Sequence, residues 1–195
     1  MAYLNKDEVV AMLKERRHNE VIEQHLIAGL PFVFQTEEAS YEVFRNTLGM
    51  QLRTPPEDIS IIGSARLGFS LSPEKFGSAF STSSDIDTIV VNSHMFDVAW
   101  LQLSRIGRKR LALPEKVQLA FKVHKTNNLF FGFIEPNRLP GIITLSNHWF
   151  RTFQGLGRVP SLSKFLIQGR LYRTWDHVKT HQLYTLECVA DKFKL

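Results

Sequence analysis

The spacing of apolar and polar positions predicts helices at both ends of the chain, with short strands between them. In residues 6–28 apolar side chains recur at helical spacing, and the basic residues 16–18 interrupt the pattern and predict a break or a bend. Gly29 and Pro31 end this segment. Thr36 is placed to cap a second helix. The core-facing stripe of that helix consists of Tyr41, Phe44 and Leu48.

Short apolar runs bounded by turn-forming residues predict strands at residues 59–62, 85–91 and 163–172. Residues 129–134 form another apolar run, which is either a strand or a buried turn. Helical spacing returns in four later segments. These helices are predicted over residues 93–106, 114–125, 149–156 and 174–189. The pattern therefore predicts an α+β fold. We expect one domain over residues 1–195, in which the helices of residues 1–53 pack on a core of residues 58–195.

Composition adds an expectation about partners and location. Of the 195 residues, 44% are hydrophobic, which is enough for a sizeable core. The net charge of +5 and the pI near 9.4 favour a polyanionic partner. A single cysteine, Cys188, excludes an internal disulfide and suits a reducing, cytoplasmic location. No apolar run approaches the ~20 residues of a membrane span, so no membrane partner is expected.

Two segments near the middle of the chain carry the candidate chemistry. The first strand ends at Gly63 and Ser64, where backbone and hydroxyl groups can receive a phosphate oxygen. Asp85 and Asp87 point to the same face of their strand, ~7 Å apart along the chain. Paired carboxylates at this spacing suit a divalent cation such as Mg²⁺. Alternatively this is an ordinary turn, although two acids on an apolar strand are costly unless a metal or an arginine offsets their charge.

The order of these features resembles the signature of the nucleotidyltransferase superfamily, which includes polymerase beta, nucleotide-adding enzymes and cGAS-like synthases. The residues that carry the resemblance are Gly63, Ser64, Gly68, Ser70, Asp85, Ile86 and Asp87. Twenty residues separate Ser64 from Asp85, more than this family usually has, so residues 71–84 are interpreted as a loop insertion.

The resemblance implies a small mixed sheet of the nucleotidyltransferase palm type, flanked by several helices. It also implies that Asp85 and Asp87 hold Mg²⁺ or Mn²⁺ and are the catalytic residues. The residues expected to bind the nucleoside triphosphate, for example ATP, are Gly63, Ser64, Arg66 and Ser84. An acceptor hydroxyl of a nucleic acid, a protein or a small molecule would attack the α-phosphorus, and pyrophosphate would leave.

A third carboxylate, which active members carry on a following strand, has no evident counterpart. The strand candidate 163–172 holds Gln168 and Arg170 where an acid is expected. The remaining acids considered for this role are Glu135, Asp176 and Glu187. Two functions therefore stay open: a small metal-dependent nucleotidyltransferase, which we favour, and a catalytically weakened nucleotide-binding module, regulatory or antitoxin-like, of the same fold.

A basic cluster near residue 108 gives one more candidate. Its members are Arg105, Arg108, Lys109 and Arg110. They are either a solvated helix end, where positive charge is favourable, or a contact for nucleic acid. His177 and His181 lie four residues apart, but the glutamate of the HExxH pattern is missing, so no metal site is predicted there.

Overall fold

The computed structural model describes residues 3–106, 112–157 and 162–195. The α-helices in this part of the chain are α1 (Lys6–Lys14), α2 (His18–Glu20), α3 (Glu38–Leu52), α4 (Ser64–Leu67), α5 (Ser93–Ile106), α6 (Glu115–Val123), α7 (Leu145–Leu156) and α8 (Trp175–Phe193). The strands are β1 (Ile59–Ile62), β2 (Ile86–Val91), β3 (Phe133–Ile134) and β4 (Ile167–Tyr172). Wider π-helical turns extend α2 over Val21–Ile27 and α6 over His124–Asn128.

The four strands form one mixed sheet in the order β1-β2-β4-β3. β1 runs antiparallel to β2 and places Ile62 opposite Asp87. β4 runs parallel to β2 and places Gln168 opposite Asp87. β3 pairs antiparallel with the end of β4. The predicted α+β class, a small mixed sheet flanked by helices, is confirmed. β4 thus lies next to the strand that carries Asp87.

Each face of the sheet packs against different helices. Ile86 and Val90 of β2 point into the larger core, which the apolar sides of α3, α5 and α7 complete. Ile89 points the other way, into a smaller cluster that includes Val178 of α8. Side chains alternate along a strand, so Asp87 lies on the same face as Ile89. The candidate carboxylate therefore faces the side of the sheet that α8 covers.

Several predicted helix ends need adjustment. The expected break at residues 16–18 is confirmed, since α1 ends at Lys14 and Arg16 adopts a positive φ of 58°. Thr36 does not cap α3, because that helix begins after Glu37 and receives no side-chain cap. At the start of α5 the Asn92 side chain accepts the hydrogen bond from the Met95 amide. Thr174 caps α8 as predicted.

The helices within residues 3–106, 112–157 and 162–195 include none that is long and apolar enough to cross a membrane.

Candidate functional site

The turn after β1 brings its backbone against the candidate carboxylates. Gly63 adopts a φ of +72°, a conformation that residues with a side chain rarely take. A Cβ atom added to Gly63 would lie 3.3 Å from Oδ2 of Asp87. The chain then turns through α4 and reaches Gly68, which also has a positive φ of 88°. The glycine at position 63 therefore leaves the space beside the Asp87 carboxylate free of a side chain.

Asp85 and Asp87 lie at the beginning of β2, each beside a polar residue of β4. The Gln168 amide donates a hydrogen bond of 2.9 Å to Oδ2 of Asp85. The Arg170 guanidinium lies 3.7 Å from Oδ1 of Asp87. β4 therefore places both Gln168 and Arg170 against the two aspartates. The side chain of Asp87 keeps 36% of its surface exposed, so one side of the carboxylate is open.

Glu135 is a third acid at this site, and it follows β3 directly. Its Oε1 lies 3.5 Å from Nε of Arg170, so Arg170 is positioned between two carboxylates. Asn128 donates a 3.2 Å hydrogen bond to Oε2 of Glu135, and Arg138 lies 3.2 Å from the same oxygen. These contacts fix Glu135 as a partner of arginine.

A buried histidine holds the backbone of Glu135. His124 is 1% exposed, and its Nε2 accepts a 3.0 Å hydrogen bond from the Glu135 amide. Its Nδ1 lies 2.7 Å from the Ala120 carbonyl oxygen, which fits a neutral ring protonated at Nδ1. Burial lowers the pKa of His124 and keeps this tautomer neutral. The end of α6 thereby positions the third acid.

The charges of the site influence one another. Enclosure by protein atoms raises the pKa of Asp87 above its ordinary value, and Arg170 opposes that rise. Burial of Arg170 disfavours its charge, but Asp87, Tyr172 and Glu135 outweigh this effect, so its pKa is raised. The result is a permanent cation between Asp87 and Glu135.

An open cleft of about 740 Å³ contains these groups. One wall is the loop of residues 71–84, which adds several serines and Lys75. The prediction that this segment is a loop agrees with the structure. An isolated β-bridge between Phe69 and Ala79 holds the loop in place. The site residues that border the cleft are Gly63, Ser64, Ser84, Asp85, Asp87, Glu135, Arg138 and Arg170.

The opposite wall is formed by α8 and the end of β3. The ring of His181 stacks on Phe133 with 4.8 Å between ring centroids. Its Nδ1 lies 2.7 Å from the hydroxyl of Tyr172. Burial, with Arg170 nearby, lowers the pKa of His181 to about 4. His181 is therefore a neutral ring that borders the cleft. From the sequence, His181 is weighed only as a metal ligand, and nothing in the sequence indicates its contact with Tyr172.

Arg66 does not border the cleft, which corrects the expectation that it binds phosphate. Only 2% of Arg66 is exposed. Its guanidinium donates hydrogen bonds to the backbone oxygens of His25, Ala28 and Gly29, at the end of the first π-helical turn. Because all three donor nitrogens are occupied by neutral carbonyls, Arg66 joins the N-terminal segment to α4.

The other predicted residues lie away from the carboxylates. Arg105 is exposed near the end of α5 and does not border the cleft. Arg108, Lys109 and Arg110 lie outside the described residues. Asp176 and Glu187, the other acids considered for the third position, are exposed on α8 and do not border the cleft either.

Comparison with known proteins adds no relative. No protein-family model, no curated protein and no solved structure matches the chain. Within the described residues no group of three or more His, Cys, Asp and Glu side chains is arranged to hold a metal ion. The chemistry of the cleft is therefore argued from its own residues. It offers two carboxylates with an open side, a glycine turn against them, and an arginine held by two acids.

Proposed function

We propose that the cleft binds a nucleoside triphosphate with a divalent cation and transfers its nucleoside monophosphate to an acceptor hydroxyl. The observation that carries the proposal is the approach of Gly63 to Asp87, with 3.3 Å between an added Cβ and Oδ2. A cation that bridges carboxylates and phosphates requires the two to be adjacent. The Gly63–Ser64 backbone and the β2 carboxylates meet that requirement within one cleft.

The residues present fit one Mg²⁺ or Mn²⁺ ion better than two. Asp85 and Asp87 would hold the ion, which neutralises phosphate charge when bound. Ser64 and Ser84 border the same cleft and supply hydroxyls for phosphate oxygens. In the proposed reaction an acceptor oxygen forms a bond to the α-phosphorus and pyrophosphate leaves with the bridging oxygen. The hydroxyl proton passes to solvent.

A second candidate function is nucleotide binding without turnover, and one observation favours it. Arg170 lies 3.7 Å from Asp87 and 3.5 Å from Glu135, in the strand position where an active member of the resembling family would carry an acid. A guanidinium attracts phosphate and repels a metal ion. Such a module would bind the triphosphate and release it unchanged.

The test is incubation with labelled ATP, GTP, CTP and UTP, Mg²⁺ or Mn²⁺, and total cell RNA and protein, followed by mass spectrometry and calorimetry. We expect binding of a triphosphate, and its loss in Asp85→Asn and Asp87→Asn. Asp191→Asn removes the same charge from the exposed end of α8 and is the matched control.

The outcomes separate the candidates. Labelled acceptor or released pyrophosphate that depends on both aspartates supports the transferase. Binding that depends on both aspartates without any product supports the binding module. Equal triphosphate binding by the wild type and both variants, or no binding at all, would contradict the proposed site.

A further inference from the structure

Gln182 of α8 is a buried polar side chain without a hydrogen-bond partner among the described residues. It is 7% exposed and borders the cleft. Its amide makes no hydrogen bond with the residues that the structure describes. Among the described residues, the side-chain nitrogen and oxygen atoms that are fully enclosed and make no hydrogen bond belong to Arg45, Thr88 and Trp149. Gln182 is not in this group, so the small exposed part of its side chain includes the amide. A nearly enclosed amide that faces a cleft is costly unless something in the cleft pairs with it.

The packing of α8 turns this amide toward the cleft that the Gly63–Ser64 turn also borders. Val178, one turn earlier, lies in the apolar cluster that contains Ile62, the last residue of β1. Leu186, one turn later, lies in the cluster that contains Leu67, the last residue of α4. Residues four apart share one side of a helix. Gln182 therefore shares the buried side of α8 with Val178 and Leu186, and it borders the same cleft as Gly63 and Ser64.

Gln168, the glutamine of β4 beside Asp85, has a different environment. Gln168 donates to Asp85 at 2.9 Å and is thus committed to a carboxylate. Arg170 is likewise held by Asp87 and Glu135. Gln182 is the side-chain amide of α8, and its donor and acceptor have no partner among the described residues.

We propose that Gln182 binds the phosphate groups of the nucleotide, with its amide N–H donating to a phosphate oxygen in the cleft that Gly63 and Ser64 also border. This inference rests on the proposed function and adds a residue from α8 to the phosphate site. A neutral amide donor suits this position, because it binds a phosphate oxygen without displacing the cation held by Asp85 and Asp87. The amide reads only phosphate, so its contribution is the same for all four bases.

The experiment compares the wild type with Gln182→Leu, which keeps the size of the side chain, and Gln182→Glu, which keeps its shape and adds a negative charge. Calorimetry measures binding of Mg²⁺ with inorganic tripolyphosphate, ATP, GTP, CTP and UTP. We expect both variants to lose about tenfold or more in affinity for every one of these probes. The loss should be larger for Gln182→Glu, because its carboxylate repels phosphate. Gln51→Leu, on the exposed side of α3, is the matched control.

Thermal unfolding without ligand separates this role from a structural one. Replacement of an unpaired amide by an apolar side chain of similar size should leave the Tm of Gln182→Leu unchanged or raise it. A lowered Tm that accounts for the binding loss would overturn the proposal. So would unchanged affinity in Gln182→Leu, or retained affinity in Gln182→Glu.

The choice of probe identifies the part of the ligand. A loss seen with nucleotides but not with tripolyphosphate would mean that Gln182 contacts the sugar or base, and it would overturn the assignment to phosphate. Failure of the wild type to bind any triphosphate would instead contradict the proposed function itself, together with this inference.

Discussion

Two arginines, Arg66 and Arg170, lie close to the candidate site but in contrasting environments. Arg66 is 2% exposed and donates to three backbone carbonyls. Arg170 keeps 30% of its side chain exposed and lies between Asp87 and Glu135. Backbone carbonyls are neutral and do not titrate, so they neither take up a proton as pH falls nor hold a divalent cation as strongly as a carboxylate does. Carboxylates titrate and bind divalent cations.

The difference shows that Arg66 stabilises the folded chain, whereas Arg170 is placed to interact with a ligand. The partners of Arg66 belong to one chain segment and need a donor whenever that segment is folded. The partners of Arg170 are carboxylates in a cleft. A metal ion can take the place of the guanidinium, and a phosphate can take the place of a carboxylate. Substitution of Arg66 should therefore change stability, whereas substitution of Arg170 should change binding.

The largest effect is expected from Arg66→Met. Removal of the guanidinium leaves the carbonyls of His25, Ala28 and Gly29 without this donor. We expect the free energy of unfolding to fall by about 3–5 kcal/mol, as for other losses of a buried polar network. Urea denaturation followed by circular dichroism measures it. Arg151→Met, at an exposed position of α7, should change stability by less than ~0.5 kcal/mol. A loss below ~1 kcal/mol at Arg66 would contradict the structural role.

The fold could be predicted where the determining pattern is local. The apolar runs bounded by Gly63 and by Asp85 mark β1 and β2, because strand limits follow from neighbouring turn residues. β3 was ambiguous, since only Phe133 and Ile134 pair with the end of β4. Pairing between segments that are distant in sequence decides such a short strand. The resemblance to nucleotidyltransferases, which no matching protein tests, stays a prediction.

The same distinction between local patterns and contacts of distant segments applies to the candidate site. Gly63, Asp85 and Asp87 were identified because their spacing on adjoining segments already carries the geometry. Glu135 was only one of three acids, and its approach to Arg170 depends on the pairing of β3 with β4. Gln182 gave no signal at all, since only the packing of α8 brings it to the cleft. Arg66 was assigned to phosphate because it follows the turn, but carbonyls of a distant segment determine where its side chain points.

His181 should give the next effect, because it lies near Arg170 and its pKa is lowered to about 4. In the unfolded chain this histidine binds a proton near its ordinary value of 6.5, so the unfolded state takes up the proton first as pH falls. Stability is therefore fully present above about pH 6.5 and is lost progressively toward pH 4, by roughly 2–3 kcal/mol.

His181→Phe should flatten this part of the stability profile, measured by urea denaturation from pH 7 to pH 4. His94→Phe, at an exposed position of α5, is the control for the loss of a histidine. A slope that stays the same in His181→Phe would show that other groups cause the acid sensitivity. The pH dependence of stability would then say nothing about the environment of His181 beside Arg170.

Arg170→Gln should change metal binding by about tenfold. A positive charge 3.7 Å from Asp87 competes with a divalent ion for the same carboxylate, and its removal relieves that competition. We expect weak Mg²⁺ binding by the wild type without nucleotide and about tenfold tighter binding by the variant, measured by calorimetry. Arg173→Gln breaks an exposed pair with Asp97 and is the matched control. Unchanged Mg²⁺ affinity in Arg170→Gln would mean that the pair does not regulate access to Asp87.

The smallest expected effect concerns Glu135, the second partner of Arg170. The pKa of Asp87 is raised chiefly by burial, and Arg170 lowers it while Asp85 and Glu135 add to the rise. Because a metal requires the ionised carboxylate, binding should be lost as pH falls through this raised pKa. Glu135→Gln removes one negative neighbour and leaves Arg170 to Asp87 alone. Both changes favour ionisation, so the midpoint should move to lower pH by a fraction of a unit.

Carbon-13 NMR of labelled aspartate carboxyls follows Asp87 directly and does not require turnover. Asp87→Asn identifies its signal, and Glu187→Gln, which removes an exposed acid from α8, is the control for general charge effects. A midpoint that moves to higher pH in Glu135→Gln would mean that Glu135 holds Arg170 in the position where it stabilises the Asp87 anion. In that case Glu135 would act on the metal site through Arg170. The carboxylates of Glu135 and Asp87 would then bind the Arg170 guanidinium cooperatively instead of competing for it.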